Sequence, residues 1–359
     1  MTLGPDLYNG RSGIALFLAA HAAVTGRAAS AELALAAVAH LRSGLRGHNS
    51  ARLARSLGLG GGIGLGSVVY ALNVMSNMLN DDELPADAHA AAELFTDDLI
   101  AANEQLDILA GSAGGILGLL RLHRDSPSAD VLARATKCGE HLLAKPRLDV
   151  QGRRSWLGTG LGPRPLNGMA HGAAGFAYAL ASLAAATGCG AFAEAASECI
   201  AFENANYDSE HGSWPYFTAD GHREFWCQWC HGAPGIGLAR VAMRQRCGMD
   251  PKLLTADISN AVVGVEKSSF RYLDTLCCGT LGNIEFLCEA GTALGRSDLR
   301  EHASRQLAAV METAAAAGDY RWNVGTRRFN FGMFRGLAGV GYTMLRQAEE
   351  SLPNVLVWE

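Results

Sequence analysis

No apolar run in the chain approaches the roughly 18 residues needed to cross a bilayer, and the N-terminus lacks the charged-then-apolar pattern of a signal peptide. Charge of one sign is also missing. A net charge of −5 over 359 residues leaves neither a basic patch for nucleic acid nor an acidic tail. β-Branched alternation is scarce outside short stretches such as NVLVW, Asn354 to Trp358, which argues against a sheet-based fold. No Pro- or Ser-rich linker divides the chain, so one domain over residues 1–359 is expected. Together these point to a cytoplasmic globular protein, and the hydrophobic share of 49% fits one. Nine cysteines, an odd number in a reducing compartment, make a disulfide framework improbable and favour metal binding or catalysis for clustered thiols. Cys138, Cys189, Cys199, Cys247 and Cys288 are isolated and read as small buried hydrophobes.

What the chain does have is glycine, 43 residues of it, in one recurring pattern: Gly-x-x-Gly followed by an apolar stretch. Seven copies start at Gly10, Gly61, Gly111, Gly172, Gly232, Gly279 and Gly336. The intervals by subtraction are 51, 50, 61, 60, 47 and 57 residues. A unit of that length holds two helices and their connections. The segment after each glycine pair, such as FAYALASLAAA, has no polar face and must be buried. The segments between, such as SDLREHASRQLAAVMETA, carry apolar residues three and four apart with charges between them. Each unit thus has an inner and an outer helix. The terminal copies are as apolar as the middle ones, whereas an open solenoid needs polar capping repeats. The expectation is an all-α fold, a closed α/α toroid of seven helical-hairpin repeats.

In such a ring, equivalent positions share one level. The residues just before the first glycine are Asn9, Gly60, Ala110, His171, His231, Cys278 and Arg335, and Cys230 and Cys277 come one earlier. Chemistry therefore collects at one end of the inner helices. Cys230 with the adjacent pair Cys277 and Cys278 can bind Zn²⁺ through three thiolates, leaving a fourth position open. An open site of that kind suits the activation of a further thiol as a nucleophile. Alternatively, Cys227 and Cys230 with Cys277 and Cys278 make a closed four-cysteine structural site. His171 in the same row is a candidate proton donor or acceptor. Asp107 reads either as a helix N-cap or as the group that orients His171. His231 is a candidate transition-state contact or a fourth ligand, and Asn9 and Arg335 are weaker candidates.

These motifs resemble the lanthionine synthetase C-like family, the lanthipeptide cyclases. The resemblance covers essentially the whole chain through the seven repeats, and WCHGAPGIGLAR and LCCGTLGNIEFL are its specific metal motifs. It implies an α/α toroid with a catalytic zinc. The implied activity is addition of a peptide cysteine thiol to dehydroalanine or dehydrobutyrine, which closes (methyl)lanthionine thioether rings in a ribosomal precursor peptide. It also implies Cys230, Cys277 and Cys278 as zinc ligands, His171 as acid/base and Asp107 as its partner. The implied partners are the dehydrated precursor peptide and a dehydratase domain or protein. Two positions depart from the family pattern. The last ligand is commonly histidine and here is Cys278. Many stand-alone cyclases carry arginine four residues before the first zinc cysteine, and here that position is Trp226, with Arg223 a possible substitute. The ends of the chain most resemble the C-terminal cyclase half of a class II synthetase. The competing reading is a non-catalytic zinc-stabilised toroid that binds peptide or protein partners. A toroidal glycosidase or terpenoid cyclase would need paired carboxylates or acidic motifs at the mouth, where the row above offers cysteine and histidine.

Overall fold

The structure is a computed structural model, which describes residues 3–158, 161–162, 164–268, 273–322 and 329–359. In chain order its helices are α1 (Arg11–Thr25), α2 (Ala28–Arg46), α3 (Ser50–Leu57), α4 (Leu65–Leu79), α5 (Leu84–Glu93), α6 (Asp97–Ala101), α7 (Ser112–Asp125) and α8 (Ala129–Leu143). There follow α9 (Ala173–Thr187), α10 (Gly190–Ala205), α11 (Ala233–Arg246), α12 (Pro251–Lys267), α13 (Thr280–Leu294), α14 (Ser297–Ala317) and α15 (Leu337–Ala348). Two short antiparallel hairpins interrupt them: β1 (Arg147–Leu148) with β2 (Arg154–Ser155), and β3 (Tyr216–Phe217) with β4 (Arg223–Glu224).

The chain forms two compact units. One comprises Met1–Ala144 and Asn330–Glu359, the other Lys145–Phe329. In the first unit α15 lies beside α1, α1 beside α4 and α4 beside α7; in the second α9 and α13 flank α11. These seven are the inner helices, and they start directly after glycine. Six pair with a following outer helix: α1 with α2, α4 with α5, α7 with α8, α9 with α10, α11 with α12 and α13 with α14. After α15 comes instead a 3-10 turn over Val355–Val357. The NVLVW tail is thus no strand. Its apolar side chains are buried, and Trp358 donates its indole N–H to Gly61 O at 3.0 Å.

Sequence period decides which helix goes where. α9 is apolar around its circumference and buries Ala173 through Ala181 without a break. On α14 only one stripe is buried, Leu299, Ala303, Leu307, Val310 and Ala314, spaced four, four, three and four apart. Inner helices approach closely where both lack Cβ: a methyl on Gly118 of α7 would sit 2.3 Å from Gly66 O of α4.

The inner helices have no side-chain N-caps, and before all of them but α11 the preceding turn caps the helix with backbone. The first helical N–H donates to the carbonyl seven residues upstream: Arg11 to Gly4 (2.8 Å), Leu65 to Gly58 (2.9 Å), Ser112 to Gln105 (3.2 Å), Ala173 to Leu166 (2.9 Å), Thr280 to Leu273 (2.8 Å) and Leu337 to Asn330 (2.8 Å). Donors otherwise orphaned at a helix start are satisfied this way. The turn folds back so tightly that a Cβ on the cap glycine would strike it; at Gly279 it would be 2.2 Å from Leu273 O. This geometry corrects the register of the second repeat. Its cap is Gly64, not Gly61, and the intervals around it become 64 − 10 = 54 and 111 − 64 = 47 residues. The stretch GGIGLG has one Gly-x-x-Gly, Gly61 with Gly64, and it is the second glycine of that pair that makes the backbone cap, with Ser67 where the other repeats have their second glycine.

Candidate metal centre

The corrected register exposes a second use of the turns. Two residues before each cap glycine stand Tyr8, Gly62, Leu109, Ala170, Cys230, Cys277 and Phe334. These residues hydrogen-bond from turn to turn through their backbones. In the first unit Phe334 N–H donates to Tyr8 O (2.9 Å), Tyr8 N–H to Gly62 O (3.0 Å) and Gly62 N–H to Leu109 O (3.0 Å). In the second unit Ala170 N–H donates to Cys230 O (3.2 Å) and Cys230 N–H to Cys277 O (3.3 Å). Cys230 and Cys277 are therefore the same position in neighbouring repeats, held side by side by main chain. Cys278, one residue on, shares the level of His171 and His231.

The three thiols meet. Cys230 Sγ lies 3.7 Å from Cys278 Sγ, Cys278 Sγ lies 3.3 Å from Cys277 Sγ, and all three lie within 4.8 Å of one another. Sulfurs held at about 2.3 Å from one tetrahedral ion lie about 3.8 Å apart, so the donor set fits zinc. Hydrogen bonding to Cys277, then to Cys278, then burial, push the Cys230 thiol well above its ordinary range. Crowded thiols resist ionising together, and a dication bound among them reverses that preference. Thr275 Oγ1, fully buried, accepts the Cys278 N–H at 3.4 Å and steadies the end of the motif.

Cys227 stands apart from the cluster. Its sulfur accepts from Asn283 Nδ2 at 3.6 Å, and burial raises its pKa to about 11. The closed four-cysteine site is not assembled among the described residues, and His231 is not in the cluster either. Cys138 and Cys199 are buried as expected, and Cys189 is exposed because it sits just before α10 on the outside.

His231 is buried, with Nδ1 lacking a hydrogen-bond partner. Burial, and then the neighbouring His171, push its pKa down to about 4. The two rings stack at 5.8 Å and 25°, which brings the two histidine candidates together beside the thiols. Asp107 lies in the first unit and is buried there. Its Oδ1 accepts the Ala110 N–H at 2.9 Å inside the turn before α7, whose N-cap is Gly111, so Asp107 is not the helix N-cap that one of its two readings made it. Asn9 is part of the turn structure, its N–H donating to Asp6 Oδ1 at 2.9 Å. Arg335 is half-buried in the turn before α15. Arg223 pairs with Asp208 at 3.1 Å and lies over the Phe225 ring, so it serves the β3–β4 hairpin.

Sequence reasoning missed a buried charge network behind this site. Arg240 of α11 is fully buried and donates to Asp257 Oδ2 of α12 and Glu203 Oε2 of α10, both at 2.8 Å. The other oxygen of Glu203 accepts the Gly168 N–H at 2.9 Å. Glu203 thus anchors the turn that carries Ala170, bonded to Cys230, and His171. A lone arginine in the apolar run GIGLARVAM was the signal. Burial raises the pKa of Glu203 against the pull of Arg240.

Fold and site together define a class: an all-α, α/α-toroid protein with a three-cysteine cluster at the N-terminal end of its inner helices. Within that class, the chain belongs to the lanthionine synthetase C-like protein family, which it matches over residues 2–357. The fold is similar to that of nisin cyclase, with a TM-score of 0.68 at 15% identity, covering 98% of this chain and 92% of the other. It is also similar to a sugar epimerase from a ruminal bacterium (TM-score 0.54, 12% identity, 88% and 100% covered). A glycosyl hydrolase of family 88 from Bacteroides vulgatus shares it too (TM-score 0.52, 12% identity, 87% and 97% covered). No curated protein sequence matches the chain. Among the described residues no helix is long and apolar enough to cross a membrane.

Proposed function

We propose that the protein is a zinc-dependent lanthipeptide cyclase acting in the cytoplasm on a dehydrated precursor peptide. The toroid alone does not separate this from sugar chemistry, since carbohydrate enzymes share the fold. The observation that carries the reading is the meeting of Cys230, Cys277 and Cys278 beside the stacked pair His171 and His231.

The reaction adds S–H across a carbon–carbon double bond. The sulfur of a peptide cysteine bonds to the β-carbon of dehydroalanine or dehydrobutyrine, its proton leaves, and a proton is returned to the α-carbon. Cys230, Cys277 and Cys278 would hold the zinc, which when bound lowers the pKa of a fourth, substrate thiol at the open position. Three anionic ligands keep the site electron-rich and favour a nucleophilic sulfur. His171 has the less buried ring of the two and delivers the proton to the α-carbon. His231, buried against it, fixes that ring by stacking and keeps water from one face. Glu203, through Gly168, holds the turn on which His171 stands.

The test uses a dehydrated peptide with one free cysteine. Ring formation leaves the mass unchanged, so it is read as loss of alkylatable thiol by mass spectrometry. Zinc-loaded protein should close the ring, and chelated protein should not. Cys278→Ala should lose both zinc stoichiometry and ring formation. Retention of both by that variant removes the reading.

A further inference from the structure

The β3–β4 hairpin carries two aromatic residues that the cluster of thiols does not use. Tyr216 pairs with Glu224 across the hairpin, and Trp226 stands two residues beyond Glu224, the diagonal position on the same face. Their rings stack at 4.1 Å and 13°. Both also meet His231 edge-on, Tyr216 at 4.7 Å and Trp226 at 5.7 Å, and His231 follows Cys230 directly in the chain. Both residues are half-buried. Neither the Tyr216 hydroxyl nor the Trp226 indole N–H bonds to another described residue, and both reach water. Stacked rings whose polar edges are unsatisfied suit a peptide: the faces take an apolar side chain and the edges meet main-chain carbonyls.

The hairpin is braced from behind. His211 stacks on Phe225 at 3.7 Å and 3°, and Arg223 lies 5.5 Å over the same ring while pairing with Asp208. This bracing fixes Trp226 before any ligand arrives, so little ordering is left for binding to oppose.

We infer that Tyr216 and Trp226 form a subsite for an apolar side chain adjacent to the reactive cysteine of the peptide substrate. The inference rests on the cyclase reading for the identity of the peptide, and it assigns the two residues to substrate selection. The thiols and histidines beside it are polar, so the aromatic pair is where an apolar flank is distinguished from a bare one.

The test is binding, which needs no ring formation. Two fluorescein-labelled peptides carry one cysteine and serine in place of the dehydrated residue. They differ only in the residue next to cysteine, leucine in one and glycine in the other. Anisotropy titration on the zinc-loaded full chain should show the leucine peptide binding about tenfold tighter. In Trp226→Ala that ratio should fall below about 2, and in Trp226→Phe, which keeps a stacking ring, it should stay above about 4. Zinc content and circular dichroism establish that each variant is folded. A preference that survives in Trp226→Ala overturns the inference, as do equal binding of the two peptides and no binding of either. The cyclase reading is judged separately, with the dehydrated versions of the same peptides. Rings that close without leucine preference overturn the subsite alone, and leucine preference without ring closure overturns the cyclase alone.

Discussion

Gly232→Ala is the substitution that best probes how the metal cysteines are placed. Gly232 caps α11 at φ +110 and ψ −166, a conformation open in practice only to glycine, whereas the other six cap glycines have negative φ. Forcing alanine there costs about 1–3 kcal/mol in backbone conformation. The added Cβ would also lie 1.8 Å from Trp226 O. Relief of that contact needs a displacement of more than an ångström, and such overpacking costs a further ~1–3 kcal/mol. The expected loss is therefore about 2–6 kcal/mol. Gly279→Ala is the control: its Cβ meets Leu273 O at 2.2 Å, but its φ is −144, so only the packing part applies. Urea unfolding of the two variants should separate them by about 2 kcal/mol. The displaced loop also carries Cys230, and metal sites tolerate roughly 0.5 Å of misplacement. Competition with a chromophoric chelator should thus show zinc affinity reduced at least about tenfold in Gly232→Ala. Equal destabilisation of the two variants would refute the backbone argument, and unchanged zinc affinity would refute the link from Gly232 to Cys230.

Three further outcomes are expected. Glu203→Ala leaves Arg240 buried with one counterion fewer and should destabilise by about 3–5 kcal/mol; in Glu203→Gln/Arg240→Met part of this should return, and thermal unfolding reads both. Asp107→Ala should cost about 1 kcal/mol as a lost side-chain-to-backbone hydrogen bond in the turn before α7, whereas Asp107→Asn keeps the acceptor for Ala110 and should unfold like wild type; if cyclisation by the Asn variant also equals wild type across pH, Asp107 has no role beyond the turn. Asp208 is held down to about 2 by hydrogen bonds from the His211 backbone and ring and by the Arg223 charge. Its folded value lies below the free one, so its contribution to the hairpin is present above about pH 4 and lost as pH falls toward 2. Carboxyl carbon NMR should place the midpoint near 2, and a midpoint near 4 would show the contacts absent in solution.

Much of the architecture could be read from residue types because each repeat states it twice, once as a glycine pair and once as a change from all-round apolar to striped helix. The three thiols were legible for the same reason: a shared register brought Cys230, Cys277 and Cys278 to one level before any coordinates. The register failed only at GGIGLG, where the Gly-x-x-Gly starts at Gly61 while the true cap, Gly64, has Ser67 in place of a second glycine. The Glu203–Arg240–Asp257 network was out of reach because its members come from three helices, and only Arg240 breaks the pattern of its own. Tyr216 and Trp226 meet through a two-residue hairpin too short to announce itself by alternation. The NVLVW tail misled because β-branched residues also suit a buried 3-10 turn when the core, not a sheet, receives them.

The main-chain belt that joins one turn to the next makes the metal position transferable. Cys230 and Cys277 are neighbours because of where they stand in their repeats, and nothing in the bond between them requires sulfur. Tyr8 and Gly62 stand in the same relation, with Tyr8 N–H on Gly62 O at 3.0 Å. Within either unit, a protein built this way can move a reactive centre from one turn to the next by point substitution, without insertion or loop remodelling. The scaffold resembles a rack of like sockets, in which the backbone sets the place and the side chain standing there sets the chemistry.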